Sequence, residues 1–337
     1  MKPVRSRLDL LLVSAVIAFA FSMATPSGAV VPRRLGGESL RRTHESAAPG
    51  PSTFASVNKP LGIAVTTDRV LVTQFNTDKV RSLDSSGIMT TFATLPPTGN
   101  ASLERYIAIS PGLGGFLAGY VYVTVGKNTY QITADGSKVT RFVTIPSMPN
   151  GETGITFDTV GTFGYSMILT DRRGPIWTVD STGNATEICD VGKQIEGPMV
   201  APTSFVPFGG QIIMGSEFID QVLAGCDGRV GAWESPEGAV LIPSAVCNFG
   251  TSRGAYFVAM VDQNLVVRFP ASMFSGLGGD ILTPSELRDP SLYIGRWHSN
   301  GISVTSSTFW GPDSRYTPKL EGSAFAACPG GDSASTG

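Results

Sequence analysis

Histidine is nearly absent from this chain: only His44 and His298 occur in 337 residues. That scarcity argues against a histidine-rich zinc site, a haem pocket, or a Ser-His-Asp triad with spare candidates. Charge is scarce too. Asp, Glu, Lys and Arg make up 15% of the residues, and a formal net charge of −2 provides no basic field for nucleic acid. The four cysteines show no CxxC spacing, so a thiolate metal cluster has no support. Glycine-rich phosphate loops between a strand and a helix are missing, which removes the usual signal for nucleotide binding. Beyond Phe21 no run approaches the roughly 18 apolar residues of a membrane-spanning helix.

What is present begins with a targeting signal. Lys2, Arg5 and Arg7 precede an apolar run from Leu10 to Phe21, and Ser27-Gly28-Ala29 supplies a small-x-small cleavage pattern. We therefore expect a signal peptide at 1–29, cleaved after Ala29, and a secreted or periplasmic product. Residues 30–57 carry Arg33, Arg34, Arg41 and Arg42 among Gly, Ser and Pro without apolar periodicity, and read as a flexible linker. The folded part is expected over 58–328, and 329–337 as a disordered tail.

Within 58–328 the chain repeats at about 45 residues, a period typical of radial or solenoid arrays. Three series carry it. The first is a glycine-terminated turn: Asp84-Ser85-Ser86-Gly87, Ala134-Asp135-Gly136, Asp180-Ser181-Thr182-Gly183 and Cys226-Asp227-Gly228, with Gly278-Gly279 as a fifth member. The second is an acid ahead of an apolar strand: Glu104, Glu152, Glu196 and Glu237. The third is a polar turn after a strong β-run: Val70–Thr73 leads to Asp78, Val121–Thr124 to Asn128, Met167–Thr170 to Asp171, Arg172 and Arg173, Ile212–Met214 to Glu217 and Asp220, and Phe257–Met260 to Asp262 and Asn264. Each unit is thus four short β-runs with no helical pattern between them. The fold class is all-β, a single β-propeller of four-stranded blades. Units starting at 58, 104, 152, 196 and 237, with 288–328 left over, predict six blades; five or seven are the alternatives, and a β-sandwich is the competing architecture.

Topology then places the chemistry. If strands a to d run from the axis outward and alternate in direction, the loop into strand a and the b–c loop share one face. The glutamate series and the polar-turn series therefore converge on one mouth of the central channel, while the Asp-Gly turns lie on the far side. Glu104, Glu152, Glu196 and Glu237, with Glu321 as a further member, would form an acidic ring suited to a hard cation such as Ca²⁺ or Mg²⁺. Asp78, Asp171, Arg172, Arg173, Asp262 and Asn264 are the expected ligand contacts at that mouth. The expected partner is a small polar molecule, a glycan or a protein loop. No nucleic acid and no membrane span are expected, and the protein should be a monomer.

The cysteines add a crosslink. Val240–Ala245 and Ser323–Ala327 both read as inner strands opened by Glu-Gly, and Cys247 and Cys328 follow them. If those strands belong to neighbouring blades, Cys247 and Cys328 sit at the same end of adjacent strands and should pair.

The blade pattern resembles the group of propellers that includes the SMP-30/gluconolactonase-like and NHL-type proteins. Glu196-Gly197-Pro198 looks like the Glu-Gly-Pro signature whose Glu is a metal ligand in SMP-30-like lactonases, although here it opens the fourth unit instead of the first, and Met199 follows where an aromatic residue is expected. Asn58, Asn264 and Asn300 are the candidates for that family's further ligands. The resemblance implies a cation-dependent lactone or ester hydrolase, with Glu196 as leading ligand, as the alternative to a non-catalytic binding module. A lyase resembling streptogramin lyase is a second alternative, and His298 would be its general base.

Overall fold

The computed structural model describes residues 50–97, 103–148, 154–286, 291–297, 304–311 and 319–328. The expected signal segment, residues 30–49, Glu152, His298, Asn300 and the expected C-terminal tail lie outside the described residues. Among the described residues the only helical elements are two 3-10 turns, Glu217–Ile219 and Ala271–Phe274, and no helix is long and apolar enough to cross a membrane.

The protein is a six-bladed β-propeller: six four-stranded antiparallel sheets around a common axis. Strand β1 (Ser52–Ser56) comes first in the chain and is used last. Blade 1 is β2 (Pro60–Val65), β3 (Val70–Gln74), β4 (Lys79–Leu83) and β5 (Met89–Thr94). Blade 2 is β6 (Ile107–Ile109), β7 (Val121–Val125), β8 (Asn128–Ile132) and β9 (Val139–Thr144). Blade 3 is β10 (Ile155–Phe157), β11 (Met167–Thr170), β12 (Pro175–Val179) and β13 (Ala185–Asp190). Blade 4 is β14 (Glu196–Val200), β15 (Ile212–Ser216), β16 (Gln221–Ala224) and β17 (Gly228–Ala232).

Sequence order and blade order part company after that. Strand β18 (Val240–Leu241) is the inner strand of blade 5, but β19 (Tyr256–Met260) and β20 (Leu265–Phe269) pair in blade 6. The chain then returns to finish blade 5 with β21 (Ile281–Pro284), β22 (Leu292–Trp297) and β23 (Val304–Trp310), before β24 (Leu320–Phe325) becomes the inner strand of blade 6. Strand β1 closes that blade from outside, pairing with β20. Two expectations are corrected here. The unit read from 237 is not local, because its apparent second and third strands form a hairpin inserted into the neighbouring blade. And the linker ends sooner than residue 57, since 52–56 supply the outer strand that seals the ring and removes an open sheet edge.

Burial explains the strand types. Strands β3, β7, β11, β15 and β19 are buried along their whole length. Each is covered on both faces by adjacent blades, so it reads as a continuous apolar run instead of an alternating one. The outer strands, such as β13, are mostly exposed. The c–d turns behave as the glycine series requires. Gly87, Gly136 and Gly183 have φ of +80°, +77° and +89°, and Asp84 and Asp180 accept backbone N–H bonds within their own turns. In blade 4 the positive φ falls on Gly225 in place of Gly228.

Two disulfides join neighbouring blades. Cys247 pairs with Cys328, as expected from inner strands of adjacent blades. Cys189, in β13, pairs with Cys226 in the turn between β16 and β17.

Candidate functional site: an acidic cup at the channel mouth

The mouth is built by one local device repeated around the ring. In four of the six blades a hydroxyl near the end of strand b ties down the segment that enters a strand a. Thr73 Oγ1 accepts from Gly62 N at 2.9 Å and donates to the Arg105 carbonyl. Thr124 Oγ1 accepts from Tyr106 N at 3.2 Å. Ser216 Oγ donates to Gln194 O at 2.6 Å, and Ser285 Oγ to Glu234 O at 2.7 Å. The residue entering strand a and the residue leaving strand b are thereby held at one level, next to the axis.

The result is a cup of about 410 Å³. Entries to strand a contribute Lys59, Glu104, Glu196, Glu237, Lys319 and Glu321; the b–c loops contribute Phe75, Asn76, Arg172, Glu217, Phe218, Val261, Asp262 and Glu286. The volume is that of a small-molecule site. Its lining is acidic at the axis, with aromatic and basic side chains around it. Phe218 is 64% exposed on the rim, with the Arg172 guanidinium 5.4 Å from its ring centre.

The carboxyl groups crowd. Glu196, Glu237 and Glu321 are buried. Burial first, and then the charges of Glu196 and Glu321, raise Glu237 well above the usual carboxylate range. Burial, and then Glu104 and Glu286, do the same to Glu321. Glu196 beside Glu237 and Glu286 beside Glu321 add to the same effect, because neighbouring carboxylates disfavour a second charge. Gln194 braces one side: its Nε2 donates to Glu196 and, at 2.9 Å, to Glu217, while its Oε1 accepts from Phe218 N at 3.0 Å. Lys319 Nζ lies 2.9 Å from Glu286 Oε1.

Three of these acids make up the candidate cation centre. Glu217, Glu237 and Glu286 each present a carboxylate oxygen, and the three oxygens lie within 4.8 Å of one another. Glu237 is 6% exposed and its Oε1 has no hydrogen-bond partner. A buried oxygen in that state is poorly accommodated unless a proton or a cation reaches it. An all-oxygen donor set of this kind fits Ca²⁺ or Mg²⁺.

Of the residues singled out in sequence, the cup brings together Glu104, Glu196, Glu237, Glu321, Arg172 and Asp262. The others serve its walls. Asp78 pairs with the buried Arg105 guanidinium at 2.9 Å. Asp171 is buried and accepts from Arg173 N at 2.8 Å, while the Arg173 side chain reaches the Ser147 carbonyl. Asn264 accepts from Lys59 N at 2.7 Å and so anchors the entry to β2. Glu286 is the acid that sequence reading missed. It follows β21 as Glu217 follows β15, but the inserted hairpin hid that phase.

Fold and site together define a propeller with an acidic cup at a mouth of its channel. No protein-family model matches the chain, and neither does any curated protein. Among solved structures it is similar to a streptogramin B lyase, at 15% identity and a TM-score of 0.42 over 77% of this chain and 86% of that one. It is also similar to regucalcin of Agrobacterium tumefaciens, described as a calcium-binding protein, at 14% identity and a TM-score of 0.37 over 62% and 74%. A third is an auxiliary nutrient binding protein of Bacteroides thetaiotaomicron, at 9% identity and a TM-score of 0.45 over 76% and 63%.

Proposed function

We propose that this is an exported monomeric propeller that holds a divalent cation, Ca²⁺ or Mg²⁺, in the acidic cup and binds a small polar ligand above it. Two observations on Glu237 carry the reading: its Oε1 is buried without a hydrogen-bond partner, and the residue presents a carboxylate oxygen within 4.8 Å of those of Glu217 and Glu286. Charge supports it. Seven carboxyl groups and three basic side chains line the cup. Acids outnumber bases by four, an excess of negative charge that a divalent ion would relieve.

In this reading Glu217, Glu237 and Glu286 are the ligands. Gln194 holds Glu196 and Glu217 in place, and Lys319 steadies Glu286. A bound divalent cation would supply Lewis acidity toward a ligand carbonyl or water. Phe218 and Arg172 at the rim offer a flat apolar face and a positive charge to whatever sits above. Export through a signal peptide cleaved after Ala29 accords with the two disulfides, which persist in oxidising compartments.

The test is calorimetric titration of Ca²⁺ and of Mg²⁺ into chelator-stripped protein, followed by a lactone panel with and without chelator. One saturable site per chain is expected. Absence of binding heat with both ions would overturn the reading. Chelator-sensitive lactone hydrolysis would extend it to a cation-dependent hydrolase.

A further inference from the structure

Five of the six blades enter strand a through a glycine: Gly62, Gly154, Gly197, Gly238 and Gly322. At each of them a Cβ would collide with the adjoining inner segment. It would lie 2.5 Å from Gly238 Cα at Gly197, 2.6 Å from Leu61 O at Gly322, 2.5 Å from Pro198 Cδ at Gly154, and 2.9 Å from Arg105 O at Gly62. The glycines let the inner strands approach until only hydrogen fits between them. Blade 2 breaks the series. Its residue at this level, paired to Thr124 as Gly62 is to Thr73, is Tyr106.

The Tyr106 side chain has gone into the space the glycines leave. It is 8% exposed, and across the axis it faces Gly197, Gly238 and Gly322, which belong to blades 4, 5 and 6. The void left around it is about 20 Å³, room for roughly one water. Its hydroxyl points up into the acids: Oη donates to Glu104 Oε2 at 3.3 Å. Burial, and then the charges of Glu104, Glu196, Glu321 and Glu237, keep the phenol protonated far into the alkaline range. Tyr106 is therefore a neutral hydrogen-bond donor beneath a ring of carboxylates.

We propose that Tyr106 plugs the propeller axis and forms the floor of the cup, so that the acidic site opens on one face only and a cation seated among the glutamates lies directly above the phenol. This rests on the cation reading above and adds to it a residue that positions Glu104 and sets the depth of the site. The asymmetry is what makes one mouth a cup instead of the end of a tunnel. With glycine in all six blades, water would reach the acids from both faces.

The experiment uses Tb³⁺, a luminescent stand-in for Ca²⁺, excited through tyrosine. Wild-type protein should give sensitised Tb³⁺ emission that added Ca²⁺ displaces. Tyr106→Phe should lose most of that emission while Ca²⁺ affinity, followed by calorimetry, stays within about tenfold, because the lost hydrogen bond runs to Glu104 and not to one of the three ligand acids. Tyr106→Gly, which makes blade 2 like the rest, should shorten the Tb³⁺ lifetime in H₂O relative to D₂O as water enters from below. Emission unchanged in Tyr106→Phe, or a lifetime unchanged in Tyr106→Gly, overturns the proposal. Calcium heat without sensitised emission in the wild type overturns the placement of Tyr106 alone; absence of both overturns the cation reading itself.

Discussion

Replacing Glu237 by Gln tests the cup with one atom changed. The side chain keeps its shape and loses its charge. In the cation-free protein the carboxyl groups around it are close enough to repel: two full charges within 4.8 Å of each other interact by at least about 3 kcal/mol at an effective dielectric constant near 20. The raised proton affinity of Glu237 already relieves part of this, so Glu237→Gln should stabilise the stripped protein modestly, on the order of 1 kcal/mol. Saturating cation reverses the order. At a free concentration about 100 times Kd the wild type gains about 2.7 kcal/mol by mass action. For a domain of this size that is a rise in Tm of about 5 to 10 °C. Glu237→Gln, which lacks the buried ligand oxygen, should gain little. The assay is differential scanning calorimetry of both proteins in chelator and in Ca²⁺, and the signature is a change of rank between the two conditions. Equal Ca²⁺ stabilisation of both proteins would remove Glu237 from the ligand set. Four superimposable scans would end the cation reading. A variant less stable than wild type in chelator would refute the claim that the apo cup is under repulsion.

Two further outcomes are expected. Because Glu237 and Glu321 titrate well above 4.5 in the folded chain, the native state holds protons that the unfolded state releases; stability in chelator should be full below about pH 4.5 and fall as pH rises through the folded values, by about 1.4 kcal/mol per pH unit for each group. Thermal scans across that window should show the decline, and Ca²⁺ should flatten it. Removing the crosslink between Cys247 and Cys328, 81 residues apart, as the paired Ser variant should cost on the order of 4 kcal/mol, read as a lower denaturant midpoint; an unchanged midpoint would contradict a clasp at the ring closure.

The blades were legible because most of their information is local. An Asp-to-Gly turn sets a hairpin, and a buried strand b gives an unbroken apolar run, so phase accumulates along the chain. What was not legible is where a hairpin docks. Strands β19 and β20 have the composition of any central pair, and nothing in their residues says whether the partner is β18, fifteen positions back, or β24, sixty positions on. Strand β1 posed the same problem: Ser52–Ser56 lacks a hairpin mate nearby because its mate, β20, lies more than 200 residues away. Even so, the misplaced hairpin does not move the acids to the other face. An insertion of two antiparallel strands leaves the chain running in its original direction, so Glu286 and Asp262 reach the same mouth whichever blade owns them.

The site was legible in its acids and not in their crowding, and the glycines explain the difference. Glu196-Gly197, Glu237-Gly238 and Glu321-Gly322 look in sequence like three independent strand starts. In the ring each glycine admits the backbone of its neighbour, with Gly197 and Gly238 so close that a Cβ on either would clash with the other's Cα. That approach carries the preceding glutamates inward with it. Three acids that could have been solvated separately are buried within one small cup, where burial and neighbouring charge favour the protonated forms of Glu237 and Glu321 and one oxygen of Glu237 has no partner. Close packing of the inner strands is thus the cause of the electrostatic problem, and a proton or a cation is its relief. The two features cannot be changed separately: a side chain at Gly238 would push the strands apart and relax the acids, whereas neutralising an acid leaves the strands where the glycines put them.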